Sequence, residues 1–277
     1  MTTALTHSPE ELTAIATRIR RNIITSVRDA KSGHPGSSLS CADLLTALYF
    51  GHLRHDPQNP HWEGRDRFVM SKGHASPGLY GTLAEAGYLD RAELSTFRAI
   101  NSRLQGHPDM HKLPGVETST GSLGHGLSYA LGMALALRLD GSDSRVYALL
   151  GDGESQEGQV WEAAMAAAHH KAGNLTAIID RNGLQIDGPT EEVMSLEPFA
   201  DKWRAFGWRV VAIDGHDFPQ ILAALAESRE QPVHGQPTLI LAKTVKGKGV
   251  SFMENQVKWH GTAPNAEQAE AALKELV

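Results

Sequence analysis

The sequence predicts an α/β fold, a doubly wound, mainly parallel sheet with helices on both faces. RVYALL (145–150) and LTAIID (175–180) are apolar runs separated by the Ala-rich helical stretch EGQVWEAAMAAAHHKAG (157–173). Two strands joined by a helix of that length form a right-handed βαβ unit. The pattern recurs in WRVVAID (208–214), a helix over about 217–229, and TLILAK (238–243). With no internal repeat, low-complexity tract or linker in its 277 residues, the chain is expected to form one domain, 1–277.

The first helix spans 8–29. Ser8 caps it, Pro9 suits its first position, and Glu11 completes a Ser-x-x-Glu box. Leu12, Ile15, Ile19, Ile23 and Val27 then mark one apolar face. KSGHPGSS (31–38) reads as a loop, because Gly and Pro interrupt it twice. A helix follows from Ala42 to about His52, then a short strand, RFVMS (67–71). Leu127 to Leu137 reads as a buried core helix. Within 157–173, Met165 and its Ala neighbours are expected to face the core, and Glu154 just before it to be an exposed first-turn partner of the helix dipole.

Composition excludes several classes. A net charge of −6 disfavours binding to polyanions such as nucleic acid, and no apolar run reaches the roughly 18 residues of a membrane span. Cys41 is the only cysteine, so neither an internal disulfide nor a Cys-based zinc site forms. MTTALTHSPEE lacks the basic and apolar stretches of a secretory leader, so the expected location is cytoplasmic.

Open parallel sheets bind ligands at the carboxyl ends of their strands. Here those ends carry Gly151-Asp152-Gly153, Asp180-Arg181-Asn182-Gly183, Asp214-Gly215-His216 and Lys243 to Lys246. Asp152 alone also reads as a helix cap in a tight turn. Asn182, 30 residues later on the same sheet edge, changes the weighing. A carboxylate, an amide oxygen and a carbonyl near Leu184 are hard donors suited to Mg²⁺ or Ca²⁺, with room left for diphosphate oxygens. Fourteen histidines, of which His34, His52, His74, His107, His125 and His216 directly follow glycine, point to imidazoles presented from tight loops. A solitary histidine in such a loop is more often structural. His169 with His170, and His107 with His111, lack the geometry of metal pairs and stay structural.

The GDG…Asn spacing resembles the thiamine diphosphate fingerprint, and the wider set resembles transketolase. That set comprises SGHPG (32–36), RDRFVMSKGHASPGLYG (65–81), GHP (106–108), TGSLGHGLSYALGMALA (120–136), GDGESQEGQVWEA (151–163), DRNGLQIDG (180–188) and WHGTAP (259–264). The chain is similar to the N-terminal, diphosphate-binding subunit of a split transketolase. The resemblance implies the thiamine diphosphate-binding fold, with Asp152, Asn182 and the Leu184 carbonyl holding Mg²⁺, or alternatively Ca²⁺ or Mn²⁺. It implies cofactor contacts from His74, Gly121, Ser122, Leu123, Gly153, Asn182 and His260, with Lys246 at the charged end. Glu157 would join a carboxylate network across a subunit interface, and His34, His107 and His260 would line the sugar channel as catalytic groups. Ser122 and His125 stand where many transketolases have proline and glutamine.

The implied reaction moves a two-carbon ketol unit from a ketose phosphate to an aldose phosphate, with the pentose phosphate pair as default substrates. The cofactor supplies the electron sink and the protein the positioning and proton traffic. The family's essential glutamate belongs to a pyrimidine-binding domain, and 17 residues after His260 do not encode one. The expectation is a polypeptide inactive alone and paired with a C-terminal subunit, as α₂β₂. Two other readings are a component of another split thiamine diphosphate enzyme acting on a 2-oxoacid and a non-catalytic diphosphate-binding module. The sugar-handling histidines disfavour the first, and retention of Glu157 with the loop histidines disfavours the second.

Overall fold

The computed structural model describes residues 7–277; residues 1–6, on which part of the reading of no leader rests, lie outside the described residues. A five-stranded, all-parallel sheet runs in the order β1 (Arg67–Met70), β2 (Val146–Gly151), β3 (Leu175–Arg181), β7 (Thr238–Lys243), β6 (Arg209–Asp214). Between β3 and β6 the chain makes a small antiparallel ribbon, β4 (Leu184–Gln185) with β5 (Gly188–Pro189).

Ten α-helices are described: α1 (Pro9–Ala30), α2 (Pro35–Ser40), α3 (Ala42–Gly51), α4 (Ser76–Glu85), α5 (His125–Leu139), α6 (Gly158–His169), α7 (Thr190–Val193), α8 (Phe199–Ala205), α9 (Phe218–Arg229) and α10 (Ala266–Glu275). The handedness of crossovers decides which face most of them cover. From β1 to β2, β3 and β6 the chain advances across the sheet in one direction, and α5, α6 and α8 bury their apolar residues on one face. From β6 to β7 it steps back, so α9 lies on the other face with α1, α3, α4 and α10. Alternate strand residues feed the two cores: Tyr147 and Leu149 enter one, Val146, Ala148 and Leu150 the other.

The capping box at Ser8 and Glu11 is present, and Leu12, Ile15, Ile19, Ile23 and Val27 are all buried. Three local expectations are corrected. The stretch read as a loop over 31–38 turns helical at Pro35, where proline at the first helical position presets the backbone. The Leu127 to Leu137 segment is buried on one face only, through Leu127, Ala130, Leu131 and Ala134, while Tyr129 beside them is exposed. Met165 is not core packing but 59% exposed, because the inner face of α6 is filled by Val160, Ala163, Ala164 and Ala167.

Trp203 is fully buried, with ring centroids of Trp208 and Trp161 at 4.9 and 5.4 Å. Trp203→Ala is expected to lower the unfolding free energy by about 3–5 kcal/mol in a denaturant titration, through lost burial and the cavity left behind.

Candidate active site

The register of the two central strands builds the site. Gly151 of β2 lies opposite Asp180 of β3, so the turns that follow leave the sheet at one level. Asp152 and the turn containing Asn182 are therefore neighbours: Gly183 N donates to Asp152 Oδ2 at 2.5 Å, and Gly153 N to Oδ1 at 2.8 Å. Asn182 Oδ1 accepts from Leu184 N at 3.1 Å, and the Leu184 carbonyl accepts from Lys246 Nζ at 3.3 Å. Arg181 Nη1 also donates to Asp152 Oδ2 at 3.2 Å, so the unused lone pair of this carboxylate lies on Oδ1. Among the described residues no three His, Cys, Asp or Glu side chains converge on a metal position. A cation here would rely on this mixed set of carboxylate, amide and carbonyl oxygens.

These groups border a cavity of about 370 Å³, which His34, His74, His107, Gly121, Leu123 and His260 also line. A larger hollow of about 810 Å³ lies beside it at the ends of β3, β7 and β6, but it is open and lined by none of these imidazoles. The smaller one holds the convergent polar groups. Three imidazoles cluster at its mouth: ring centroids of His34 and His74 are 5.1 Å apart, His74 and His260 5.2 Å, and His34 and His260 5.6 Å. They come from the start of α2, a 3-10 turn at Gly73–Ala75 and another at Val257–His260.

Burial, then the positive Arg98, lowers the His34 pKa to about 4; burial, then Lys246, lowers that of His260 to about 3. His74 is pushed well down, chiefly by burial and then by Lys72. Nδ1 of His34 and Nδ1 of His260 are buried without a hydrogen-bond partner among the described residues. Buried polar atoms are normally paired, and these two exceptions belong to rings that line the cavity. Arg98 stands near the mouth with Nη1 3.2 Å from Ser32 Oγ, and its charge also lowers His107 after burial does.

Beneath the cavity two lysines are buried. Burial would lower Lys72, but its ion pair with Asp180 raises it and keeps both groups charged. Lys246 has no carboxylate within ion-pair distance among the described residues; burial and then Lys72 lower its pKa to about 8. Its ammonium lies 3.3 Å from Ser37 Oγ. Burial and then Asp180 raise the Asp152 pKa.

Most of the residues expected at the site do converge. Ser122 does not: it is exposed and outside the cavity lining. Glu157 lines the cavity edge, exposed, and its carboxylate accepts no hydrogen bond among the described residues. Glu154 is corrected outright. Far from being exposed, it is 3% accessible and accepts from Ser71 Oγ, Gly124 N at 3.0 Å and Gly151 N at 3.0 Å. The β2 turn folds inward, so this carboxylate joins the β1, β2 and α5 ends, and burial raises its pKa. Sequence reasoning also missed Ser37, Lys72 and the role of Asp180. Their signal was position: Lys72 directly follows β1 and Asp180 sits near the end of β3, at the edge that gathers the other groups.

The arrangement defines a class of protein, an open α/β domain whose strand ends gather oxygen donors and a buried ammonium of the kind that suits a diphosphate-bearing ligand. Comparison with known proteins names the family. Residues 12–276 match the family described as transketolase, thiamine diphosphate binding domain. An apulose-4-phosphate transketolase subunit of Phocaeicola vulgatus is 48% identical over 93% of this chain and 90% of its own length. The 6-deoxy-6-sulfo-D-fructose transketolase subunit of Clostridium sp. is 45% identical over 93% of each. The crystal structure of transketolase from Campylobacter jejuni superposes with a TM-score of 0.91 at 37% identity, over 98% of this chain and 43% of that one. The chain belongs to the transketolase family, and what it matches is the thiamine diphosphate-binding domain. It spans about two-fifths of the length of the solved transketolases.

Two outcomes are expected. His34 and His260 are neutral in the fold with pKa values of about 4 and about 3, against about 6.5 in an unfolded chain. The unfolded chain binds more protons below about pH 6.5, so their contribution to stability is full above that pH and declines as pH falls toward 4. Denaturant titrations between about pH 7 and about pH 5 should show a shallower decline in the His34→Gln, His260→Gln double variant. Asp180→Asn leaves Lys72 as an unpaired buried charge and is expected to lower stability by about 3–5 kcal/mol, measured the same way.

Proposed function

We propose that this chain is the N-terminal, diphosphate-binding subunit of a two-chain transketolase, moving a two-carbon ketol unit from a ketose phosphate to an aldose phosphate. One observation carries the reading: Asp152, Asn182, the Leu184 carbonyl and Lys246 meet in a single cavity that three imidazoles overlook. Their chemistry fits the cofactor. Hard oxygens suit Mg²⁺, with Ca²⁺ or Mn²⁺ as substitutes, and a divalent ion would stabilise the Asp152 carboxylate that burial disfavours. A buried ammonium without a carboxylate favours a diphosphate, and Ser37 beside it supplies a hydroxyl. Gly153 lets the β4 segment pack over the turn at the cavity wall, since a Cβ there would stand 2.6 Å from that of Gln185.

Thiamine diphosphate supplies the carbon nucleophile and electron sink when bound. The chain's own groups would do the rest. Gly121 and Leu123 wall the cavity beside His74. His34 and His260, unprotonated at neutral pH and lining the cavity, would accept a proton from a sugar hydroxyl on a ring nitrogen or hold that hydroxyl in place. An approaching anionic sugar would raise both pKa values toward the useful range. His107 lines the same cavity, and Arg98, whose charge acts on His34 and His107, would be a cation for a phosphate or sulfonate there. Glu157, free at the rim, is placed to meet a second chain.

The two relatives that match over nearly their whole length are named as transketolase subunits, which supports a partner chain carrying the pyrimidine-binding domain, in an α₂β₂ assembly. Their named sugars carry a phosphate or a sulfonate. No described helix is both long enough and apolar enough to cross a membrane.

The test is reconstitution. The purified chain alone should transfer no ketol unit, and mixing with the C-terminal subunit should restore transfer across a ketose and aldose phosphate panel. Carbon dioxide release from a 2-oxoacid, or turnover by the single chain, would reject the reading. In the reconstituted pair, Asp152→Ala should weaken Mg²⁺-dependent uptake of thiamine diphosphate by more than about 10-fold, read by titration calorimetry.

A further inference from the structure

We propose that His216 is a positioning residue for the charged end of the cofactor site: with Asp43 and Arg20 it braces the 244–248 turn so that Lys246 points into the cavity. The proposal rests on the cofactor reading above.

His216 belongs to the group of histidines that follow glycine, yet it lies apart from the imidazole cluster. It sits in the turn after β6, whose last residue, Asp214, pairs with Lys243 of β7. The two turns press together: Gly215 N donates to the Lys243 carbonyl at 2.7 Å, and a Cβ on Gly215 would stand 2.5 Å from Thr244 Cγ2. The imidazole then spans two partners. Its Nε2 accepts from Val245 N at 2.9 Å, and its Nδ1 lies 2.7 Å from Asp43 Oδ2. A backbone N–H is always a donor, so Nε2 is unprotonated and Nδ1 carries the hydrogen toward the carboxylate. One tautomer satisfies both bonds.

Asp43, buried on α3, also accepts both arms of Arg20 at 2.9 and 2.6 Å. Arg20 Nε continues to the Lys248 carbonyl at 3.2 Å. From one carboxylate, two arms thus reach the turn on either side of Lys246, at Val245 and at Lys248. Between them the Lys246 side chain, 1% exposed, extends to Ser37 Oγ and the Leu184 carbonyl. Among the described residues no carboxylate forms an ion pair with that ammonium, and Asp180 and Asp152 act on it only from farther away. Its position follows from how the backbone is held, which is what an outer layer of hydrogen bonds provides at charged sites.

His216→Asn keeps a donor toward Asp43 and lacks an acceptor within reach of Val245, whereas His216→Gln carries an amide oxygen near the Nε2 position. Hydrogen exchange on the unliganded chain should speed up at the 245–248 amides in the Asn variant and stay near wild type in the Gln variant. In the two-chain complex with Mg²⁺, titration calorimetry should show thiamine diphosphate Kd rising by about 10-fold for Asn and little for Gln. In a Lys246→Met background, His216→Asn should add no further loss, which a merely structural role does not predict. Unchanged exchange, equal affinity of wild type and the Asn variant, or the same loss with and without Lys246 would each overturn the proposal. A wild-type complex that takes up no thiamine diphosphate would overturn the cofactor reading itself, and exchange on the chain alone distinguishes that failure from failure of the brace.

Discussion

The carboxylate of Asp180, wholly buried near the end of β3, ties together the segments that form the site. It pairs with Lys72 after β1, accepts from Ser40 at the end of α2 and from Thr244 after β7, and meets Asn182 Nδ2 at 3.4 Å. Each of these partners belongs to a segment that carries a site residue: His74 two residues beyond Lys72, His34 and Ser37 on either side of the α2 start, Lys246 two beyond Thr244. A buried ion pair is poor evidence of net stabilisation, because desolvation offsets much of the attraction. What it provides here is geometry, with hydrogen bonds completing the shell that makes the burial tolerable.

Around that knot the buried charges have divided tasks. Lys72 is neutralised within the protein. Lys246, a few residues from Thr244, is left with neutral oxygens only, and burial weakens its hold on its proton. Asp152 and Glu154 lie close in sequence, line the same cavity and share raised pKa values from burial. Glu154 accepts from Ser71 and from the backbone N–H groups of Gly124 and Gly151, which joins the ends of β1, β2 and α5. Asp152 accepts from Gly153 N, Gly183 N and Arg181 Nη1, which ties the turn after β2 to the end of β3. The partners rather than the number of bonds separate the two carboxylates, a distinction no spacing rule draws.

The exposed elements are informative in the same way. Glu157 stands at the rim with no ion-pair partner among the described residues, and Met165 and Tyr129 are exposed on α6 and α5. An exposed Met at a helix position flanked by alanines has no role in the inner packing, which Val160 and the small residues complete without it. These features agree with a chain that matches 43% of a longer solved enzyme and most of a relative named as a subunit.

Much of the fold and of the residues that line the cavity was legible in the sequence because both rest on local rules. Apolar runs of strand length, an Ala-rich helix between them and Gly-Asp-Gly after a strand report strand, crossover and binding edge without knowledge of the partners. The helix at Pro35 was obscured by the same glycines and proline that usually end helices. Tertiary structure alone decided the rest: that Asp180 gathers the loops, that Glu154 turns inward, that Ser122 stays outside, and that residues 34, 74 and 260 bring their rings together. The physical reason is that burial and contact between distant segments depend on how the layers pack, whereas periodicity and turn chemistry act within a few residues.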